Sequence, residues 1–152
     1  MRGGTGSRYN EGVSLLGLDL GEKRVGVAVA EPPAYVAVPL AVLAAEPWEE
    51  FMARLRALAA ERGVRELVAG LPVQTDGKEG AAALAARELA QRIAAALQLP
   101  LSFQDERYTS NEATQALAAS RPAWRRRKRH RDALAAALIL DTYLRRRSGE
   151  TG

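Results

Sequence analysis

The spacing of hydrophobic residues changes along the chain between strand-like and helical periods, and the order of these changes is the strongest constraint on the fold. Residues 13–18 form a nearly unbroken apolar run, which favours a central strand covered on both faces. After a turn at Gly21–Lys23, bulky valines alternate with glycine and alanine over Arg24–Ala30. This alternation predicts an antiparallel partner strand with one bulky face and one flat face, on which a helix could lie closely.

The remainder of the chain alternates between strand-like and helical patterns. A third strand is expected over residues 35–43, at the sheet edge, because Pro39 has no amide to donate to a central ladder. The later predicted elements are a helix from Pro47 to Gly63, a strand at 66–70, a helix that ends at Pro100, a strand at 101–104, a helix that opens with a capping box at Thr109, and a helix over 131–146.

This order predicts an α/β fold with one five-stranded mixed sheet, in which three antiparallel strands are followed by parallel crossovers and flanked by helices. The 152 residues, 47% of them hydrophobic, suit a single globular domain. We expect that domain to span residues 13–147, between a disordered tail at 1–12 and a flexible tail at 148–152, both rich in glycine and polar residues.

Two absences in the sequence exclude whole classes of protein. The chain has no cysteine, which rules out disulfides, thiolate catalysis and cysteine zinc sites. No apolar run approaches the ~20 residues that a membrane span requires, and residues 1–12 lack the apolar stretch of a signal peptide. We therefore expect a cytoplasmic protein without a membrane partner.

The positive charge is concentrated in one segment. The net charge is +4, and residues 121–131 hold seven basic residues and no acid. Such a run is either a solvated loop or a surface for an anionic partner such as nucleic acid. Its members are Arg121, Arg125, Arg126, Arg127, Lys128, Arg129 and Arg131.

Three acidic residues are candidates for a common site. Asp19 follows the first strand, Glu106 lies just past the fifth, and Asp132 falls in the first turn of the last helix. Ligands of open α/β sheets gather at the carboxyl ends of the strands, so the three carboxylates are plausible neighbours that could share Mg²⁺ or Mn²⁺. Turn chemistry and the helix dipole offer simpler explanations for Asp19 and Asp132, and Glu106 could instead pair with Arg107.

Other polar residues have weaker claims. Asp141 lies nine residues after Asp132 and therefore faces the opposite side of the same helix. Glu112 is better explained by capping. Asp105 either supports the site from behind the ligands or, as we favour, is an exposed strand end. His130 could be a general acid, a phosphate contact or an exposed polar residue. Lys23 and Arg24 either touch phosphate or keep the hairpin turn soluble.

Four ordered motifs resemble the YqgF (RuvX) family of ribonuclease H-like proteins, described as Holliday-junction resolvases and as pre-16S ribosomal RNA nucleases. The resemblance spans most of the chain, although Gln74–Thr75 replaces the usual Asn-containing stretch of one loop and the segment before Asp132 is unusually rich in arginine. The motifs are Gly17–Gly21 with Lys23–Ala28, Val68–Pro72 with Asp76–Gly77, Asp105–Thr109 with Glu112–Ala113, and Asp132–Ala136 with Ile139–Leu140.

The resemblance implies a ribonuclease H-like fold and metal-dependent hydrolysis of a nucleic-acid backbone. It places the catalytic, metal-binding acids at Asp19, Glu106 and Asp132, with the Gly70–Gly77 loop bordering the substrate. Resolution of a DNA junction favours a symmetric homodimer, whereas RNA trimming needs only a monomer, and both stay open. The residues we expect to bind nucleic acid are Lys23, Arg24, Arg107, Arg125, Arg126, Arg127, Lys128, Arg129 and His130.

Two alternative functions are considered. ATP-dependent actin-like phosphotransferases also begin with a motif like Leu18–Gly21 followed by a hairpin. Those proteins bind the nucleotide between two such domains, and this chain is long enough for only one. A nucleic-acid-binding adaptor without cleavage would use the same fold and the same basic segment.

Overall fold

Five strands and three helices make up the residues that the structure, a computed structural model, describes: 12–74, 76–106 and 130–147. Each lies where the sequence predicts an element of its type. The helix predicted at Thr109 falls outside the described residues, as do residues 1–11 and 148–152. The strands are β1 (Ser14–Leu20), β2 (Arg24–Ala30), β3 (Val38–Ala44), β4 (Val64–Leu71) and β5 (Leu101–Asp105), and the helices are α1 (Trp48–Glu61), α2 (Ala81–Leu97) and α3 (His130–Arg147).

The strands form one mixed sheet in the order β3-β2-β1-β4-β5. The first three strands pair antiparallel, whereas β1 pairs with β4, and β4 with β5, in parallel. This topology confirms the predicted fold class. It also confirms that the strand carrying Pro39 lies at the edge of the sheet.

Several strand boundaries differ from those expected by one to three residues; β4, for example, spans Val64–Leu71 where a strand at 66–70 is predicted. β1 continues through Leu20, which still pairs with Val25, so Asp19 lies within the strand and not after it. β3 begins at Val38, later than expected, because the chain is still turning at Tyr35, where φ is 55°. A residue with a side chain rarely adopts that left-handed backbone conformation, and it does not fit within a strand.

The bulky face of the sheet packs against α1 and α2. Helix α1 buries Phe51, Met52, Leu55 and Ala59 on one stripe, as the helical spacing predicts, and ends before Gly63, where φ is 64°. None of the helices in the described ranges is long and apolar enough to cross a membrane. The largest fully buried side chains on this face of the sheet are Leu16, Leu18, Val25, Val27, Val29 and Leu67.

The flat face of the sheet carries α3 at very short range. A Cβ atom built on Gly26 would lie 1.9 Å from the carbonyl oxygen of Asp132, and one on Gly17 would lie 2.9 Å from the Cβ of Leu140. The backbone of α3 therefore rests almost directly on the backbone of β1 and β2. The alternation of valine with small residues in β2 predicts this face, and the structure confirms it.

We expect Gly26→Ala to destabilise the protein by roughly 2–3 kcal/mol, because the new methyl group would meet backbone, which cannot rotate away. Gly17→Ala serves as the graded comparison, since its methyl group would lie 2.9 Å from the Cβ of Leu140 and 3.0 Å from the carbonyl oxygen of Ala136, a much smaller overlap than at Gly26, and we expect a loss of about 1 kcal/mol. Urea unfolding of both variants tests this order. Equal stability of Gly26→Ala and wild type would contradict the close contact.

Candidate active site

Asp19 lies near the carboxyl end of the central strand β1, on the face covered by α3. Side chains alternate along a strand, so Asp19 shares this face with Gly17, against which Leu140 packs. In the β1–β2 register, Asp19 lies opposite Gly26, and Gly26 lies directly beneath the carbonyl group of Asp132. The packing of α3 thus brings the first turn of the helix, with Asp132, to the strand end that carries Asp19.

Glu106 reaches the same edge of the sheet from β5. It follows Asp105, which pairs with Leu71 at the end of β4. A Cβ atom on Gly70 would lie 2.6 Å from Oε2 of Glu106, so the Glu106 side chain occupies the space above a residue that has none. A larger residue at position 70 would collide with this carboxylate and with the side chain of Ile139, which lies equally close.

The acids influence each other's charge. Burial, and second the nearby carboxylate of Asp132, raise the pKa of Asp19 to about 6. Burial, and then the carboxylates of Asp19 and Asp105, raise the pKa of Glu106 to about 7. Desolvation and like-charge repulsion both disfavour the ionised form of an acid. The structure therefore places Asp19, Glu106 and Asp132 in one electrostatic cluster.

Asp132 also has a cationic partner. Nε of Arg24 donates a hydrogen bond to Oδ2 of Asp132 at 3.2 Å. Across residues 12–74, 76–106 and 130–147, no three carboxylate or histidine side chains are grouped closely enough to hold one metal ion. In this conformation the acids lie close enough to shift the pKa values of Asp19 and Glu106, but they are not close enough together to ligate a single metal ion.

The chemistry of these donors fits a divalent cation. Carboxylate oxygens are the ligands that hard cations such as Mg²⁺ and Mn²⁺ take in proteins. A positive charge among the acids would also relieve the repulsion that raises the pKa values of Asp19 and Glu106. The role of the three acids as metal ligands stays a prediction.

The remaining candidates divide into described and undescribed residues. Lys23 lies in the exposed turn before β2, and its carbonyl accepts a hydrogen bond from the amide of Ala45. Asp141 lies about 13 Å along α3 from Asp132 and pairs with Arg145. This position agrees with the prediction that Asp141 is not part of the acidic site. Candidates outside the described residues are Arg107, Glu112, Arg125, Arg126, Arg127, Lys128 and Arg129, and for His130 only the backbone, in the first turn of α3, is described.

Sequence reasoning missed one buried polar contact. The hydroxyl of Tyr143 donates to Oε2 of Glu66 at 2.8 Å, beneath α3. Burial is the largest cause that raises the pKa of Tyr143 to about 12, so the hydroxyl keeps its proton at neutral pH. A glutamate on the same face of β4 as Gly70 was the available signal, because a buried acid requires a donor.

Comparison with solved structures defines the class of fold. RuvC of Thermus thermophilus, solved with a Holliday junction substrate, superposes with a TM-score of 0.52 at 18% identity, covering 88% of this chain and 96% of RuvC. The fowlpox virus Holliday junction resolvase superposes with a TM-score of 0.53 at 10% identity, covering 88% and 98%. The fold is therefore ribonuclease H-like, of the RuvC type.

Sequence comparison then gives the family. The profile of the RuvX family, described as "Holliday junction resolvase", matches residues 13–146. A Thermosynechococcus vestitus protein named "Putative pre-16S rRNA nuclease" is 41% identical over 136 residues, 90% of each chain. A Chloroflexus aggregans protein of the same name is 41% identical over 133 residues, covering 86% of this chain and 92% of its own. This chain belongs to the RuvX (YqgF) family.

The raised pKa values of Asp19 and Glu106 predict how stability depends on pH in the presence of a chelator. The folded state holds these protons more tightly than the unfolded chain, so folding takes up protons between about pH 4 and pH 7. We therefore expect the free energy of unfolding to fall as pH rises through this window. Asp19→Asn should flatten the decline and stabilise the protein at pH 8 by on the order of 1 kcal/mol, after solvent screening.

Urea unfolding at pH 5 and pH 8 checks this expectation. Asp141→Asn is the matched control, because it removes an acid that pairs with Arg145 outside the cluster, and we expect its small effect to be similar at both pH values. A wild-type stability that rises between pH 5 and pH 8 would contradict the raised pKa values of Asp19 and Glu106.

Proposed function

We propose that this protein is a metal-dependent nuclease that hydrolyses phosphodiester bonds in structured nucleic acid, with Asp19, Glu106 and Asp132 holding the metal. The observation that carries the proposal is the cluster of these acids, drawn from β1, the end of β5 and α3, at the carboxyl edge of the sheet. Folding concentrates negative charge there at a cost in stability, which is typical of a functional site. The names of the relatives point to the same class of reaction.

We propose precursor 16S ribosomal RNA, processed at its 5′ end in the cytoplasm, as the principal substrate. Relatives that are 41% identical carry that substrate in their names. The family description makes a branched DNA junction the second candidate. A junction would call for a homodimer with two opposed sites, whereas one protomer is enough to trim RNA.

The chain's own residues would divide the work at the site. Asp19 is held by the central strand and Asp132 by α3, and rigid elements keep such ligands in place. Glu106 is seated over Gly70, and a cation bound among the acids would favour its ionised form, which can serve as a ligand. When bound, Mg²⁺ or Mn²⁺ supplies charge neutralisation at the phosphate and lowers the pKa of water. Arg24, beside Asp132, and Lys23 are placed to attract the phosphate backbone.

We expect Asp19→Asn, Glu106→Gln and Asp132→Asn each to lower metal-dependent cleavage by on the order of 100-fold or more, while nucleic-acid affinity changes little. The assay is a panel of precursor ribosomal RNA, four-way junction, duplex and single-stranded DNA, each with Mg²⁺ and with Mn²⁺.

Asp141→Asn again provides the control, since it changes an acid on the same helix that lies outside the cluster. Wild-type cleavage by Asp19→Asn would refute the assignment of the site. Salt-dependent binding by the wild type, without cleavage of any substrate, would favour the adaptor.

The basic segment gives a separate prediction. We propose that Arg125–Arg129 bind phosphates, so replacing all five residues with glutamine should weaken binding. The slope of log K against log salt should fall by about 0.7–0.9 for each phosphate that the variant no longer neutralises. Replacing the exposed Arg54 and Arg65 with glutamine is the control. An unchanged slope in the five-residue variant would show that the segment does not touch the substrate.

A further inference from the structure

A concave pocket of about 470 Å³ opens on the other face of the sheet, at the same carboxyl edge. Leu20 and Pro72 line its inner side, and Ala82, Ala85 and Leu89 of α2 form one wall. The lining is mostly apolar, and the volume lies in the range of small-ligand sites. None of the residues proposed for metal binding lines this pocket in the described structure.

One end of the pocket carries a preformed stacking plane. Cζ of Arg92, on α2, lies 4.1 Å from the centroid of the Trp48 ring. A guanidinium group is planar and pairs well with aromatic rings, and the contact with Trp48 holds it in place. Unstacked bases are commonly bound on aromatic rings and on arginine planes of this kind.

The charges at the rim of the pocket disfavour some kinds of ligand and favour others. Glu22 and Glu46, both exposed, line it with carboxylates, and Arg92 is the only cation among the described residues that line it. Two acids against one cation make the rim unfavourable for a phosphate group. Carboxylates accept hydrogen bonds from the exocyclic amino groups of bases, as glutamate does from cytosine.

The pocket adjoins the acidic cluster through the backbone. Asp19 and Leu20 are consecutive in β1 and point to opposite faces, so the cluster and the pocket share one strand end. Just past β4, Pro72 lies two residues beyond Gly70, over which Glu106 is seated. The mouth of the pocket and the acids therefore share one edge of the sheet, along which a bound nucleic-acid strand would lie.

We propose that this pocket, the base pocket, binds one unstacked base of the strand that is cut, and that it favours a base with an exocyclic amino group over uracil. Arg92 stacks on the base, the apolar α2 wall contacts it, and Glu22 and Glu46 accept hydrogen bonds from the amino group. The inference rests on the proposed nuclease function and adds a source of cleavage-site preference to it.

Filling the pocket is the first test. Ala85→Leu places a larger side chain in the pocket, and Ala95→Leu, at an exposed position of the same helix outside the pocket, is the matched control. The substrates are oligonucleotides in which each position near the cut is varied in turn to adenine, to purine without the amino group, to uracil or to an abasic site. We expect wild type and Ala95→Leu to favour adenine at one of these positions. Ala85→Leu should lose that preference and cut the adenine substrate about 5- to 100-fold more slowly.

A second pair of variants separates stacking from charge. Arg92→Lys keeps the positive charge and removes the plane, so we expect it to lose the base preference with little change in salt dependence. Arg54→Lys, on the exposed side of α1, should behave as wild type. Arg92→Lys with full base preference would overturn the stacking role.

The same oligonucleotides bound to Asp19→Asn protein, followed by fluorescence anisotropy, distinguish failure of this inference from failure of the nuclease proposal. Loss of base preference on adding Ala85→Leu supports the base pocket even if the wild type cuts none of the substrates. Normal cleavage by wild type, with identical preferences in Ala85→Leu and Ala95→Leu, overturns the base pocket and leaves the nuclease intact.

Discussion

The contact between the backbone of α3 and the flat face of β1 and β2 is the constraint on which the site depends. Because Gly26 lies beneath the carbonyl of Asp132, this contact fixes both the distance of α3 from the sheet and its position along the strands. Asp19 is the register partner of Gly26, so the same contact sets the separation of the two acids. A bulkier residue at position 26 would lift α3 and disperse the cluster.

The site works against the stability of the fold that builds it. Asp19 and Glu106 have raised pKa values because they are partly buried near other carboxylates, and ionisation of either one destabilises the folded state. The fully buried leucines and valines of β1 and β2 oppose this effect, since they hold the strand end in place whatever its charge. Arg24 offsets part of the repulsion only at Asp132, where both side chains are substantially exposed.

Sequence patterns predict the elements here better than the contacts between them. The change of period from two to 3.6 gives the strands, the helices and the mixed sheet, and the small residues of β2 predict the close approach of a helix. No local pattern shows that Glu106 folds over Gly70 or that Arg24 binds Asp132, because each pair is distant in sequence and meets only when the sheet and α3 assemble. The sequence can place Glu66 on the α3 face of β4, but its partner, the hydroxyl of Tyr143, meets it only when α3 docks on the sheet.

The two faces of β1 assign different tasks to consecutive residues. Asp19 belongs to the acidic cluster under α3, and Leu20 lines the base pocket under α2. Consecutive residues of a strand have fixed backbone positions, so the backbone sets the separation between the proposed cutting site and the proposed base pocket. One wall of the pocket, in contrast, comes from Ala82, Ala85 and Leu89 of α2, an element that supplies none of the three acids. Under the proposed function, substitutions there would change which base is read while the acids stay where they are, so selectivity and catalysis would diverge independently on this fold.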